Sequence, residues 1–428
     1  MINLLKVNNK NLVIFFIQLI AVTLLFRKVS TLIIILFFVY SLFYYKNVFN
    51  NEVKKYYWFC LVINIPILLE ILFFWNNDSF YDGIKSLEKS LACLILPYII
   101  IAYYKSVDLK TFLKRYSFLT ITTLIICLFL FSFFESSYFE KYMNGIHLWQ
   151  MGYQFALFFG IHAPALNMYV SFISIFLLSL LINLVVKKKV NKKTPILILL
   201  FLLSFIFLLI INTRIALVTF LINFIILFVT YNFNLKKKIS IVLMSLLLLS
   251  FVTKVFVDKF PYTIEKYTTQ IFNDLDKVGK LDEIQDPEIK VYSSLVTRLS
   301  IWKSSLELGN KNFLIGVGSS DAKNELTNYY KSTNQHFLAK YGFITHNQFL
   351  NYYIKYGILG LLGCLIYLLY PFYIGFKTKN VIIICFAVNF FISNLTDDSL
   401  NKFDGLVYSS LFYSLFTCYY LKKKKKMN

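Results

Sequence analysis

Long apolar runs separated by short polar connections dominate this chain. Read as helices, they lie at about 11–26, 29–45, 57–75, 84–104, 116–134, 164–186, 195–212, 214–233, 239–257, 347–376, 380–396 and 404–421. Most approach or exceed the roughly 18 apolar residues that carry a helix across a bilayer. None alternates with a period of two, which excludes a β-barrel. The pattern predicts an all-α polytopic membrane protein with twelve transmembrane helices and one large, partly helical external loop. It divides the chain into spans 1–9 (1–257), the loop (258–345), and spans 10–12 with a lysine-rich tail (346–428). No small-residue cleavage site follows the first run, where Arg27-Lys28 stands instead, so an uncleaved first span is expected.

The two halves of the loop read differently. Through Lys290 it has few large apolar residues and reads as mobile. Beyond that, Val291, Leu295, Leu299, Trp302 and Leu306 fall on one helical face. Gly309 reads as the stop of that helix, Gly316-Val-Gly318 as a turn, and Ser320-Asp321 as the start of a second short helix.

Composition agrees with a membrane protein: 58% of the 428 residues are hydrophobic and only 15% charged. The net charge of +22 suggests nucleic acid until its distribution is considered. The loop holds 11 acidic and 11 basic residues and is neutral. The excess sits in short clusters such as Lys54/Lys55, Lys114/Arg115, Lys187 to Lys189, Lys236 to Lys238 and Lys422 to Lys426. That is the positive-inside pattern. Both termini are then cytoplasmic, with 24 Lys and Arg against only Glu52 and Asp108 on that side. Arg27-Lys28 is the misfit, falling outside. The loop, the 135–163 connection, the Asn212-Thr213-Arg214 junction and the Asn394–Asp404 connection all share the outer face. Six cysteines scattered through apolar runs, without CxxC spacing, read as buried apolar side chains.

Several polar residues on that face could carry chemistry. Arg214 opens a span at the positive end of the helix dipole, where a cation is disfavoured. It is either a snorkelling side chain or an anion ligand, its planar guanidinium suiting a phosphate. Arg298 lies beside Trp302 on the loop helix and by itself reads as solvated. His346 and Asn347 precede an apolar helix. The pair is either a helix cap or a general base at a water–membrane boundary. Asp397 and Asp398 could orient a histidine, balance an arginine, or be solvated. His147 and His162 lie in the 135–163 connection with Trp149, Gln154 and Asn167, and both histidines read as structural. Too many aromatic and small residues occur there for a plain linker, which suggests a segment dipping into the membrane. Asp274-Leu-Asp276 has the spacing of a nucleotide-sugar metal motif, but the loop has no room for the domain that motif needs. Walker A, dinucleotide-binding, HExxH and GxSxG motifs are absent.

Taken in order, these positions resemble the O-antigen ligase and O-antigen polymerase superfamily of bacterial envelope glycosyltransferases. The resemblance runs through Thr213-Arg214-Ile-Ala-Leu, Thr297-Arg298-Leu-Ser-Ile-Trp302, Ile315-Gly316-Val-Gly318, His346-Asn347-Gln-Phe-Leu350 with Gly357 and Gly360, and Asp397-Asp398. It is strongest from about 205 to 415. It implies inverting, metal-independent transfer of a glycan from undecaprenyl pyrophosphate to an acceptor hydroxyl on the periplasmic face of the inner membrane, without a cofactor. Arg214 and Arg298 would hold the pyrophosphate and His346 would be the catalytic base. Asn347, Asp397 and Asp398 would support it. The acceptor would be lipid A–core in a ligase, the reading slightly favoured, or a second lipid-linked glycan in a polymerase. A reading from another class, a lipid-linked glycan flippase or transporter, should place ionisable residues at mid-depth in several spans. Glu70 and Glu88 are nearly the only candidates.

Overall fold

The computed structural model describes residues 9–48, 50–144, 151–186, 192, 194–231, 235–260, 274–292 and 294–427. Among them it is helical, with no strand. Its principal helices are α1 (Asn9–Thr23), α2 (Arg27–Phe43), α3 (Trp58–Ile63), α4 (Ile65–Leu72), α5 (Phe80–Ala102), α6 (Leu109–Phe134), α7 (Ser136–Met143), α8 (Met151–Leu157) and α9 (Ala163–Val186). There follow α10 (Thr194–Ile211), α11 (Arg214–Thr230), α12 (Leu235–Lys259), α13 (Leu295–Lys311), α14 (Ala322–Ser332), α15 (His336–Tyr341), α16 (Gln348–Thr378), α17 (Val381–Thr396) and α18 (Phe403–Met427). By length and composition, α6, α9, α10 and α16 can each cross a membrane, and α1, α11 and α17 contain shorter apolar helices. The run at 57–75 is not one helix: it breaks at Asn64 into α3 and α4, with Pro66 opening the second. His147, Trp149 and the lysines at 187–189 lie outside the described residues.

The centre of the bundle is α9, whose side chains are buried along nearly its whole length. Packing against lipid gains little from hydrophobic burial, so polar contacts and small residues join the helices. Ser174 of α9 donates to Ser204 of α10 at 2.9 Å, and Ser171 to the Ala216 carbonyl of α11 at 3.2 Å. From the other side, Asn389 of α17 donates to the Met168 carbonyl at 2.8 Å. Tyr169 reaches across to the Asp404 carbonyl of α18 at 2.9 Å. The periphery carries exposed Phe129, Val229 and Leu247, as a lipid-facing surface should. All six cysteines are buried and free.

The hydrophilic loop folds as a helical cap with its own core, in which Leu281, Val296, Ile301, Leu308, Leu326, Tyr330, Phe337 and Leu338 meet Ile354 of α16. Three expectations for it are corrected. The buried face of α13 is Val296, Ser300, Ile301, Ser304, Ser305 and Leu308, whereas Leu306 is 47% exposed. The apolar spacing selected the wrong stripe because small serines pack where the helix meets its neighbours. Gly309 does not stop the helix; α13 continues to Lys311. Its missing side chain admits the Tyr353 ring, which a Cβ would meet at 2.4 Å. The described part of the first half, 274–292, is docked rather than loose. Gly279 N–H donates to Ser300 at 2.8 Å, and Asp282 takes the Phe337 N–H at 2.8 Å.

The cap is fastened to the bundle by a backbone break. Within α16, Gly357 has φ 61° and ψ −149°, which frees main-chain groups at 354–358. The Val317 and Gly318 N–H groups donate to the Ile354 and Lys355 carbonyls at 2.8 and 3.1 Å, and Ile358 N–H donates to the Phe313 carbonyl at 2.8 Å. Gly316 approaches so closely, at φ 69°, that a Cβ would stand 2.4 Å from the Lys355 carbonyl group. The α4–α5 turn clamps this joint from outside: Asn76 donates to the Gly316 carbonyl at 3.2 Å, and Asn77 Oδ1 accepts from Ser320 N–H at 2.9 Å.

Candidate functional site

Helix ends distant in sequence converge at one end of the bundle, under the cap. The segment before α16 supplies His346 and Asn347. Asn347 caps α16, its Oδ1 accepting from Phe349 and Leu350 N–H at 3.0 and 3.2 Å. Its amide donates to the Leu395 carbonyl at 3.1 Å, tying the start of α16 to the end of α17. Gln348 continues the tie by accepting Leu400 N–H at 2.8 Å. His346, one residue earlier, has φ 45°, a left-handed conformation uncommon outside glycine, although asparagine, aspartate and histidine adopt it more often than other residues. Trp302 of α13 fixes the preceding residue by donating to the Thr345 carbonyl at 3.1 Å. The histidine is therefore held in a strained turn between two anchored neighbours.

Asp397 and Asp398 follow α17, both buried. Ligand atoms of His346, Asp397 and Asp398 lie within 4.8 Å of one another. These three side chains could hold a metal ion by spacing. The position beside the carboxylates is already served by an ammonium: Lys402 Nζ is 3.2 Å from Asp397 Oδ1 and 3.7 Å from Asp398 Oδ1. His162, just before α9, completes the cluster. Its Nδ1 lies 3.3 Å from both Asp397 Oδ2 and Lys402 Nζ. That nitrogen serves one of them at a time, as donor to the carboxylate or acceptor from the ammonium. Burial works against charge on Asp397, but the His162 hydrogen bond and the Lys402 charge hold its carboxyl well below the usual range. Burial likewise opposes charge on Lys402, and Asp397 and Asp398 overcome it and raise that group.

Asp398 is held differently. Its Oδ2 accepts from the Asn401 amide at 3.0 Å, and Asn401 Oδ1 accepts from Lys355 Nζ at 2.8 Å. Burial depresses the His346 imidazole below its ordinary 6.5; Asp398 and Asp397 oppose this, while Arg298 and Lys402 reinforce it. A neutral imidazole beside carboxylates suits proton acceptance.

The arginines border the same cluster. Arg298 of α13 reaches the Thr396 carbonyl at 3.5 Å; burial works against its charge, the nearby Arg214 adds to this and Asp397 opposes it. Arg214 opens α11 after Asn212, itself at φ 52°, and Thr213, whose hydroxyl accepts from Asn167 at 2.8 Å. The structure thus groups His346, Asn347, Asp397 and Asp398, sets Arg298 beside them, and leaves Arg214 within electrostatic range of Arg298. It adds three that sequence reasoning passed over. In the sequence His162 reads as structural, and Lys402 and Lys355 look like ordinary cations next to apolar runs. Only the contact with Asp397 and the Asn401 bridge distinguish them. Arg27, the misfit of the charge pattern, belongs to this end too, its guanidinium 5.6 Å from the Phe403 ring centroid.

Residues 199–365 match the family model described as O-antigen ligase. The chain carries an O-antigen ligase family domain, in line with the O-antigen ligase and polymerase superfamily. The match takes in Arg214, Arg298, His346 and Asn347 and ends before Asp397. No curated protein gives a significant match. The O-antigen ligase domain thus contains the histidine and both arginines, while the carboxylates, Lys402 and His162 come from beyond it. Together with the apolar helices it marks a membrane protein of glycosyltransferase type.

Proposed function

We propose that this protein transfers a glycan from undecaprenyl pyrophosphate to an acceptor hydroxyl at the periplasmic face of the bacterial inner membrane. The observation that carries the reading is the convergence of His346, Asp398, Arg298 and Arg214 at one bundle end within and beside an O-antigen ligase domain. Twelve transmembrane helices, both termini cytoplasmic and residues 258–345 periplasmic complete the proposed topology. The basic clusters support it, as does Arg27, which packs at the site end rather than standing as an isolated misfit.

In the proposed reaction the acceptor oxygen bonds to the anomeric carbon as the bond from that carbon to pyrophosphate breaks, with inversion. His346 takes the acceptor proton. Arg214 and Arg298 neutralise charge growing on the departing pyrophosphate. Asp398 favours the imidazolium that forms, and Asp397 holds Lys402 and His162 beside it. Cationic side chains doing the work of a Lewis acid support a metal-independent mechanism. Lipid A–core is the acceptor in the ligase reading, and a second lipid-linked repeat in the polymerase reading.

Electrophoresis of glycolipids from a deletion strain tests this. Bare lipid A–core with accumulating lipid-linked polymer means ligase, and core bearing one repeat means polymerase. Unchanged glycolipids with blocked lipid-linked glycan flux would replace the enzyme reading with a transporter. His346→Ala and Arg214→Ala should insert in the membrane and lose transfer by about 100-fold or more. Normal long-chain glycan in either would refute the mechanism.

A further inference from the structure

We propose that a cleft at the opposite end of the bundle binds one anionic phospholipid, with its phosphate on Arg115 and an ester carbonyl on Gln18. The cleft lies between α1, α6 and α18 and has a volume of about 750 Å³. Its distance from the catalytic cluster follows from α18. That helix starts beside Lys402 and runs to Lys422, which donates to the Val107 carbonyl at 2.7 Å at the cleft mouth. Twenty residues of helix separate the two by about 30 Å.

Its lining is part polar and part apolar: Asp108, Thr111 and Arg115 contribute polar groups, and Ile17, Leu119 and Leu415 apolar ones. From Asp108 to Leu119 the cleft follows α6 for about 16 Å. The Asp108 carboxylate is engaged in capping α6, accepting Thr111 N–H at 3.2 Å. Arg115 is exposed, and Lys110 and Lys114 beside it are exposed as well. This mouth attracts a lipid phosphate and offers it a planar guanidinium.

Gln18 decides the rest of the ligand. It lines the cleft at 7% exposure, and among the described residues neither its amide nitrogen nor its oxygen has a hydrogen-bond partner. An amide buried among apolar side chains without a partner is costly. An occupant with an acceptor below its charged head removes that cost. The ester carbonyl of a glycerophospholipid is such an acceptor. A polyprenyl phosphate carries only hydrocarbon below its phosphate and would leave Gln18 unpaired.

Native mass spectrometry of the purified full-length protein, titrated with single lipids, tests this. Phosphatidylglycerol should bind with one high-affinity copy, more tightly than phosphatidylethanolamine. Arg115→Ala should weaken that copy by about tenfold and Gln18→Leu by several-fold. Leu119→Trp should exclude it by filling the cleft. Unchanged phosphatidylglycerol affinity in both Arg115→Ala and Gln18→Leu would overturn the proposal, as would equal binding of phosphatidylethanolamine. Tighter binding of undecaprenyl phosphate that depends on Arg115 but not Gln18 would assign a polyprenyl occupant instead. No retained lipid in any titration would make the cleft a hydrated one. Arg115 is exposed, so its variant should keep the wild-type gel-filtration profile and thermal midpoint.

Discussion

Lys355 Nζ lies 2.8 Å from Asn401 Oδ1, and this contact sets the direction of a hydrogen-bond chain that ends at Asp398. An ammonium can only donate, so Asn401 must present its oxygen to Lys355 and its NH₂ to Asp398. Lys355→Met removes that constraint and should slow transfer about tenfold with donor KM little changed. Asn401→Leu should also slow transfer and, in addition, lower the thermal midpoint, because it strands a buried ammonium at a cost of about 1–3 kcal/mol or more. The double variant should recover the midpoint but not the rate. Recovery of both would reduce Lys355 and Asn401 to packing.

Burial keeps His346 neutral below the usual histidine range, even with two carboxylates close by. A base is active when unprotonated, so the acid limb of the transfer rate should have its midpoint below about 6.5. Asp398 and Asp397 raise this group and Arg298 and Lys402 lower it. Asp398→Asn should therefore move the limb of any residual activity further towards acid. An upward move would mean that the titrating group is not His346. Rate measurements from pH 4.5 to 8 on purified enzyme with a lipid-linked donor would decide it.

Asp397 is buried and Lys402 half-buried, and either partner without the other is costly. Asp397→Asn or Lys402→Met should each destabilise the protein by roughly 3–5 kcal/mol, somewhat less for Asp397→Asn because Asp398 also faces the ammonium. The double variant should cost less than the sum, with a coupling of about 0.5–3 kcal/mol. Because the Asp397 pKa is held below its unfolded value, the contribution of this carboxylate is present above about pH 4 and is lost as pH falls through the folded pKa. Thermal unfolding in detergent across pH would measure both effects.

Gly316→Ala places a methyl where the Lys355 carbonyl stands, at a φ that alanine disfavours. The cap should detach from α16 at a cost above about 2 kcal/mol. Limited proteolysis should then cut within 274–345 faster than in the wild type. Equal cutting would show that the cap is held elsewhere.

Most of the helix plan was legible in the sequence, because apolar run length and lysine placement are local quantities. The run at 57–75 was the exception, and Asn64 and Pro66 were its visible signals. His346, Arg214 and Arg298 were legible through their order and their match to a family pattern. The face of α13 was not, because serines pack against neighbouring helices as well as larger side chains do when the space is narrow. His162 and Lys402 had no sequence signal, since a histidine near a helix start and a lysine near an apolar run occur for many reasons.

The amino-acid order by itself determined an all-helical membrane protein, its one hydrophilic segment and the residue types able to handle a pyrophosphate. Only the tertiary structure decided that Asp397 belongs to Lys402 and His162, that Asp398 faces His346 through a chain beginning at Lys355, and that Gly316 docks into a break at Gly357. Pattern and charge act over a few residues, whereas these pairings join positions up to 240 residues apart. Such contacts exist only once helices have packed, and an ionisable group acquires its character from the neighbours and burial that packing provides.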